Sequence, residues 1–191
     1  MRVSKNAIAL LAAQVGTRVL ALLLSAQLTR SVGVEGLGRY LLVMTVEGIA
    51  LAVTDLGLNV YALREFSRDP ARTERLLASV LVVKAAAALI GVVLLNGVMP
   101  WVLPGRRDLL ALGSLALVPD ALGGALMAVL KARQRMEVSS GLDLGGRALA
   151  AIAGVALLRL GFDERAVLAA YAGGRMAVLA AYVGVLWRWR V

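Results

Sequence analysis

The sequence predicts an all-α, polytopic transmembrane bundle of six spans. Hydrophobic residues make up 60% of the 191 residues, whereas an ordinary soluble domain is about 45–50% apolar. The mean hydropathy is +0.82. The apolar residues also fall into stretches of about 20, which is the length a helix needs to cross a bilayer. Length, composition and spacing therefore agree on a membrane protein.

The six predicted spans follow one another with short polar segments between them. They lie at about 7–29, 38–61, 76–98, 108–130, 138–160 and 166–187. The polar run Arg64–Arg75 separates spans two and three, and Pro100 and Pro104 predict a turn before span four. Gly161–Arg165 is a short loop before span six. The tail Trp187–Arg190 resembles an aromatic and basic anchor at the membrane interface.

The N-terminus resembles a signal peptide because the basic segment Met1–Lys5 precedes an apolar run. Gln14 and Arg18 interrupt that run, and five more spans follow it. We therefore expect a retained first helix rather than a cleaved leader. All six spans then form a single lobe, residues 1–191.

The basic residues outside the spans predict the orientation of the chain. With the N-terminus inside, eleven loop Lys and Arg residues lie on the inner side and six on the outer side. An excess of Lys and Arg marks cytoplasmic loops, so we expect both termini in the cytoplasm. The net charge of +9 arises in these loops, where it favours contact with membrane lipids. No aromatic-interleaved basic stripe is present, and we expect no nucleic-acid partner.

Cysteine and histidine are both absent from the sequence. Their absence excludes disulfides, thiol nucleophiles, His-based proton relays and zinc sites with the usual ligands. Composition leaves an intramembrane aspartyl chemistry open, but the sequence contexts that such enzymes need are missing. We expect no enzymatic activity, no metal and no cofactor.

Proline and paired glycines mark predicted features inside the spans. Pro119 predicts a kink in span four because proline lacks an N–H and clashes with the preceding turn. Glycine doublets occur at Gly123-Gly124, Gly145-Gly146 and Gly173-Gly174, and Gly141 lies one turn before the second doublet. Small residues allow membrane helices to approach closely, which predicts packing contacts. Hinges for a rocking motion are the alternative.

Eight ionisable residues lie inside the predicted spans. They are Arg18, Glu47, Asp55, Lys84, Asp120, Asp143, Arg147 and Arg175. A charge in hydrocarbon costs about 2.5 kcal/mol or more on insertion scales, so it persists where it faces a protein interior or a wet cavity. The eight residues therefore predict a polar chamber, which is typical of a transporter or an intramembrane enzyme rather than of an anchor.

Depth within the membrane predicts which charges on neighbouring spans could meet. A helix rises about 1.5 Å per residue, which places Arg18 and Glu47 near the midplane on adjoining antiparallel spans. Lys84 and Asp120 fall at similar depths on spans three and four. We expect an Arg18–Glu47 pair and a Lys84–Asp120 pair to be possible.

The remaining charges give one local pair and one unpaired cation. Asp143 and Arg147 are four residues apart and face the same side of one helix. Asp55 lies close to the membrane surface, where it could meet Arg64. Arg175 lies near the middle of span six without a predicted partner. Guanidinium groups match phosphate geometry with paired donors, so a chamber holding unpaired arginines suits a phosphorylated or pyrophosphorylated substrate.

The first 75 residues carry a series of motifs. Lys5-Asn6 leads into Gln14-Val15-x-x-Arg18, and Arg30–Tyr40 has the pattern R-x-x-G-x-x-x-x-G-x-Y. Asp55–Leu58 has the pattern D-x-G-L and is followed by Arg64-Glu65. In combination these motifs resemble the start of bacterial polysaccharide-biosynthesis flippases. Those flippases are related to the lipid II flippases and to the multidrug and toxin extruders.

The resemblance implies translocation of a lipid-linked oligosaccharide, typically on undecaprenyl pyrophosphate, across the bacterial inner membrane. Such transport supplies surface polysaccharides such as O-antigen or exopolysaccharide. Arg18 matches the first-helix arginine of the family and is the leading pyrophosphate contact, with Arg175 and Lys84 as further residues of a cationic cavity. Glu47, Asp120, Asp143 and Arg147 are the candidates for charge pairs or ion coupling. Gly33, Gly38, Asp55, Gly57 and Arg64 match motif positions with an expected structural role.

The family also implies a partner for this chain. Its members have twelve to fourteen spans in two lobes around a central cavity, and this chain resembles the N-terminal lobe alone. We expect a second six-helix lobe, supplied by a missing C-terminal half, a split partner or a self-dimer. Two other functions stay open. One is a drug or small-molecule exporter of the same superfamily, coupled through Asp120. The other is a six-helix assembly subunit without transport, in which Arg18 and Arg175 would tolerate neutral replacement.

Overall fold

The described residues form an all-helical chain in a computed structural model. The structure describes residues 2–69, 72–98, 101, 105 and 107–189, and side chains from residue 11 onward except those of 12 and 13. The predicted turn at Pro100 and Pro104 lies outside these ranges. The helices are α1 (Arg2–Asp55), α2 (Leu58–Arg68), α3 (Thr73–Gly97), α4 (Arg107–Ser114), α5 (Leu117–Ala132), α6 (Met136–Arg159) and α7 (Glu164–Arg188).

Five stretches of the described chain are long and apolar enough to cross a membrane. They are Gln14–Asp55, Thr73–Gly97, Arg107–Ala132, Met136–Arg159 and Glu164–Arg188. This confirms the prediction of an all-α membrane protein with several spans. The first stretch has 42 residues, about twice the length that one crossing needs.

Gly33 divides α1 into two helices, α1a (residues 2–32) and α1b (residues 34–55). Its φ of 76° and ψ of −179° are not helical, and glycine adopts such a conformation without a Cβ clash. Leu20 and Tyr40 line the same cavity, although a straight helix would hold them about 30 Å apart. The chain therefore turns back on itself at Gly33.

The predicted end of span two at residue 61 is wrong. Helix α1b ends at Asp55, because Leu56 and Gly57 adopt positive φ angles of 40° and 82°. A left-handed residue is a common end of a helix, and glycine accepts it most easily. The chain then enters α2, which covers part of the run Arg64–Arg75 that the sequence predicted to be a loop. Only one side of α2 is buried.

The predicted kink at Pro119 is confirmed by the break between α4 and α5. Proline has no N–H to donate to the carbonyl of Leu115, and its ring crowds that position. The N–H of Ala116 instead bonds to the carbonyl of Gly113 at 3.1 Å, in a tighter turn. The two short helices together still form one membrane-length stretch.

Two apolar clusters lie at different levels of the bundle. One joins the turn of α1 to α4, the end of α6 and the start of α7, through Leu28, Tyr40, Val43, Leu109, Leu110, Leu158, Val167 and Leu168. The other joins α2, α3, α5 and α7, and its largest members are Phe66, Leu126, Leu130, Tyr182 and Leu186. In the membrane-length stretch that contains α4 and α5, 67% of the most apolar 18-residue segment is buried. The corresponding share is 22–39% in the other four stretches. Helix α5 is therefore the central helix.

Helices α6 and α7 make a close contact at Gly146 and Gly174. A Cβ on Gly174 would lie 2.8 Å from the Cβ of Ala150 and 3.0 Å from the carbonyl oxygen of Gly146. The packing prediction is thereby confirmed for these two glycines. Gly141 and Gly145 make no such contact within the described part of the chain, where a Cβ at either position would meet nothing within 4 Å.

We expect Gly174→Ala to destabilise the bundle, because the new methyl group would push α7 away from the backbone of α6. Overpacking of this kind costs about 1–3 kcal/mol. The measurement is the thermal unfolding temperature in detergent. Gly173→Ala is the matched control, since a Cβ on Gly173 meets nothing within 4 Å. Equal unfolding temperatures for the two variants would contradict the close contact.

Candidate functional site

Five of the predicted intramembrane charges meet in one place, which we call the charge cluster. It consists of Glu47 on α1b, Asp120 on α5, Asp143 and Arg147 on α6, and Arg175 on α7. Arg175 donates from Nη1 to Asp143 at 2.8 Å and from Nε to Asp120. Arg147 donates to the other oxygen of Asp143 at 3.0 Å. The Asp143–Arg147 pair is therefore confirmed.

The expectation that Arg175 lacks a partner is wrong. Its guanidinium group lies between two carboxylates, and Tyr171 donates its hydroxyl to the second oxygen of Asp120 at 3.1 Å. Sequence spacing could not reveal this pairing, because Asp120 is 55 residues away from Arg175. In this conformation the two carboxylates engage the Nε and Nη1 donors of Arg175.

Glu47 adds a third acid to the charge cluster. It is 5% exposed and faces Asp120. Its Oε1 atom is buried and has no hydrogen-bond partner in the part of the chain that the structure describes. Three acids therefore face two cations, Arg147 and Arg175. This cluster is not the cationic chamber that the sequence predicted.

Lys84 forms a separate buried pair with Asp55. The distance between Nζ and Oδ1 is 2.5 Å, and the Lys84 side chain is 1% exposed. The predicted pairs Lys84–Asp120 and Asp55–Arg64 are both wrong. Helix α1b ends at Asp55 beside α3, whereas the turn after it carries Arg64 away on α2, where its side chain is exposed.

Arg18 lies on the exposed side of α1a and does not contact Glu47, so the predicted Arg18–Glu47 pair is also wrong. Arg18 instead lines a cavity of about 440 Å³ between α1a, α5 and α6, which we call the Arg18 pocket. The pocket is lined by Gln14, Thr17, Arg18, Met127, Lys131, Ser139, Ser140, Asp143 and Arg147. It therefore adjoins the charge cluster, with which it shares two residues.

Among the residues that the structure describes, three cations and one acid line the Arg18 pocket. Asp143 is engaged by Arg147 and Arg175. Among the described residues, no hydrogen bond or ion pair engages the side chain of Arg18 or of Lys131. Two cations therefore face the cavity without a protein counter-charge, beside hydroxyl and amide side chains that can also bind an anion.

Lys131 also lines the pocket, although the sequence predicts it to lie in an inner loop just after span four. Helix α5 continues to Ala132 and carries Lys131 to the pocket. Met127 lies one turn earlier and lines the same cavity. The i, i+4 spacing of these two residues, which places them on one helix face, was the signal available in the sequence.

The turn between α1a and α1b gives the motif Arg30–Tyr40 a physical basis. Arg39 donates to Glu35 at 2.9 Å and to Glu164 at 2.5 Å. The second bond fastens the turn to the first residue of α7. Tyr40 is 8% exposed and packs in the apolar cluster beside this turn.

The other motif positions divide into two groups. Gly33 and Gly57 both have positive φ angles, and Asp55 holds Lys84. Nothing in the structure explains Gly38, where a Cβ would meet no atom of the described residues within 4 Å. Arg64 is exposed on α2, and nothing there accounts for its place in the motif.

The fold and its buried charges define an integral membrane protein with a polar interior, and comparisons with known proteins place it in a family. A family model described as polysaccharide biosynthesis protein matches residues 3–190, so the chain belongs to that family. The family is flippase-like, and its members are typically transporters rather than enzymes. Searches of curated proteins and of solved structures found no match.

We expect Arg175→Gln to destabilise the protein strongly, since Asp120 would lose its cation. Removal of one partner of a buried pair costs about 3–5 kcal/mol. The double variant Asp120→Asn, Arg175→Gln should recover much of this loss, because Asp143 keeps Arg147 and no unpaired Asp120 remains. The measurement is the fraction of folded protein in detergent after heating. A double variant as unstable as Arg175→Gln would contradict the pairing.

Proposed function

We propose that the chain is the N-terminal lobe of a flippase that moves a lipid-linked oligosaccharide across the bacterial inner membrane. The carrier would be a lipid pyrophosphate of the undecaprenyl type, and the transport would serve surface polysaccharide biosynthesis. The Arg18 pocket is the observation that carries this proposal. Membership of the polysaccharide biosynthesis family supports it.

The chemistry of the Arg18 pocket suits a pyrophosphate. The planar guanidinium group of Arg18 offers two parallel donors to phosphate oxygens, and the ammonium group of Lys131 adds a mobile point charge. Gln14 and Ser140 line the same cavity as neutral polar groups. Arg175 and Lys84, the other cations that the sequence analysis assigned to substrate binding, hold carboxylates. In this conformation the geometry favours Arg18 and Lys131 over these two.

The proposed topology has six crossings, with α1a and α1b counted separately and α4 and α5 counted as one. The even number leaves both termini on one side, which we propose to be the cytoplasm from the excess of basic residues. A single lobe offers one wall of a transport chamber. We therefore propose that a second lobe faces the Arg18 pocket, supplied by a continuing segment, a split partner or a second copy of the chain.

The buried acids of the charge cluster favour a second candidate, a cation-coupled exporter of small molecules. Glu47 has an unpartnered carboxyl oxygen and faces Asp120, which is an arrangement that could take up a cation during transport. The two candidates differ in the residue on which they depend, since the exporter relies on an acid of the cluster and the flippase on Arg18.

We expect Arg18→Gln and Lys131→Gln each to reduce surface polysaccharide in the organism that encodes the chain. Loss of a charged hydrogen bond costs about 1.5–3 kcal/mol, which corresponds to roughly a tenfold loss of substrate affinity or more. Arg133→Gln is the matched control, because Arg133 is exposed close to Lys131 and does not line the pocket. The measurement is the amount of surface polysaccharide at equal protein levels in the membrane.

Unchanged polysaccharide in both pocket variants would argue against a flippase that uses Arg18. Asp120→Asn, compared at equal levels of folded protein in the membrane, then separates the remaining candidates. Under the exporter hypothesis it should abolish the ion dependence of drug efflux, whereas an assembly subunit should show no transport defect in Arg18→Gln or in Asp120→Asn. The readouts are drug accumulation and polysaccharide content in the same strains.

A further inference from the structure

The Arg18 pocket continues along the line where α1a and α6 run side by side. A Cβ on Gly16 would lie 3.2 Å from the side chain of Leu144, and one on Gly154 would lie 3.4 Å from Leu24. The residue numbers of the two contacts rise together, from 16 to 24 on α1a and from 144 to 154 on α6. The two helices are therefore parallel. Cavities follow this seam beyond the pocket.

Two further cavities lie along α1a and α6 between the Arg18 pocket and the far end of α6. The nearer one, of about 90 Å³, shares Thr17 and Arg147 with the pocket. The farther one, of about 360 Å³, shares Leu20, Leu24 and Ala151 with the nearer one. We call these two cavities together the α1–α6 groove.

The chemistry of the lining changes along the α1–α6 groove. It begins beside the cations of the Arg18 pocket and becomes apolar at Leu23, Ile152 and Val155. Leu23 is 62% exposed and Ile152 66% exposed, so the groove is open to the surroundings of the helices. From Arg147 to Arg159, at the far end, the track is about 18 Å long at the helical rise per residue.

We propose that the α1–α6 groove holds the hydrocarbon chain of a lipid pyrophosphate whose headgroup lies in the Arg18 pocket. This inference rests on the function proposed for that pocket. A cationic cavity whose lining residues adjoin those of an open apolar track matches the two parts of such a molecule. The chain would lie along the outer side of α1a and α6 and leave the protein sideways into the bilayer.

A second apolar groove shares no described lining residue with the Arg18 pocket or with the α1–α6 groove. It lies between α1b and α3, has a volume of about 340 Å³ and is lined by Val46, Ile49, Ala50, Val53, Thr54, Ala87, Ile90, Gly91, Leu94 and Leu95. None of its described lining residues is charged, so it offers no ionic partner to a lipid headgroup. It serves as the internal comparison for the α1–α6 groove.

The hydrocarbon chain contributes little to the binding free energy of such a lipid. Lipid tails are as apolar as leucine, so a chain gains little free energy when it moves from the bilayer into an apolar groove. Affinity then comes from the headgroup, and the groove determines the path of the chain. A test must therefore locate the chain rather than compare binding constants for different chain lengths.

The probe is farnesyl pyrophosphate with a benzophenone at the far end of the prenyl chain, added to the full chain in lipid nanodiscs. After irradiation, mass spectrometry identifies the labelled peptides. We expect label at residues 20–24 and 151–156, and inorganic pyrophosphate should compete with it. Ile152→Trp should lower this label by roughly tenfold, the factor equivalent to about 1.4 kcal/mol. Val82→Trp is the control, because Val82 is 69% exposed on α3 and lines neither groove.

The outcomes separate this inference from the proposed function. In one outcome pyrophosphate competes with the probe, but the label is spread over all exposed helices or concentrated at the groove between α1b and α3. This outcome would overturn the proposed path of the hydrocarbon chain and leave the headgroup site intact. Label that neither pyrophosphate nor Arg18→Gln reduces would overturn the headgroup site and the inference with it. Groove residues that stay unlabelled because a second copy covers them would also contradict the proposal.

Discussion

The bridge from Arg175 to Asp120 and Asp143 is the interaction on which the arrangement of the bundle depends. It ties α7 to the central helix α5 and to α6, and a charge inside a membrane protein persists only where it is paired or wet. The close contact of Gly146 with Gly174 lies beside it in sequence, because Gly174 directly precedes Arg175. Backbone approach and ion pairing therefore occur at the same level of the helices, and each supports the other.

This bridge divides the charged interior into two parts with different properties. Within the charge cluster, both arginines hold carboxylates, so these charges serve to join the helices. In the adjoining Arg18 pocket, Arg18 and Lys131 face a cavity. Removing a charge from the first part should harm the fold, and removing one from the second should harm ligand binding. The two parts share Asp143, so a residue whose ion pairs join the helices also lines the pocket.

Much of the fold could be predicted because its signals are local. A stretch of apolar residues defines a span by its length alone, the break before Pro119 follows from the missing N–H, and the Asp143–Arg147 pair follows from the pitch of one helix. The candidate site was predicted less well. Arg18 was named from a motif, whereas Lys131 was counted as a loop residue, since the sequence does not show how far α5 extends.

By itself, the sequence determined that this is a helical membrane protein whose charges must lie in a protected interior, since composition and spacing are enough for both. Only the tertiary structure decided which charges meet. Depth along a helix can be counted from the sequence, but the side of the helix that meets a neighbour depends on long-range packing. The turn at Gly33 and the end of α1b at Asp55 place Glu47 against Asp120 and Asp55 against Lys84. Arg18 thereby remains at the open cavity.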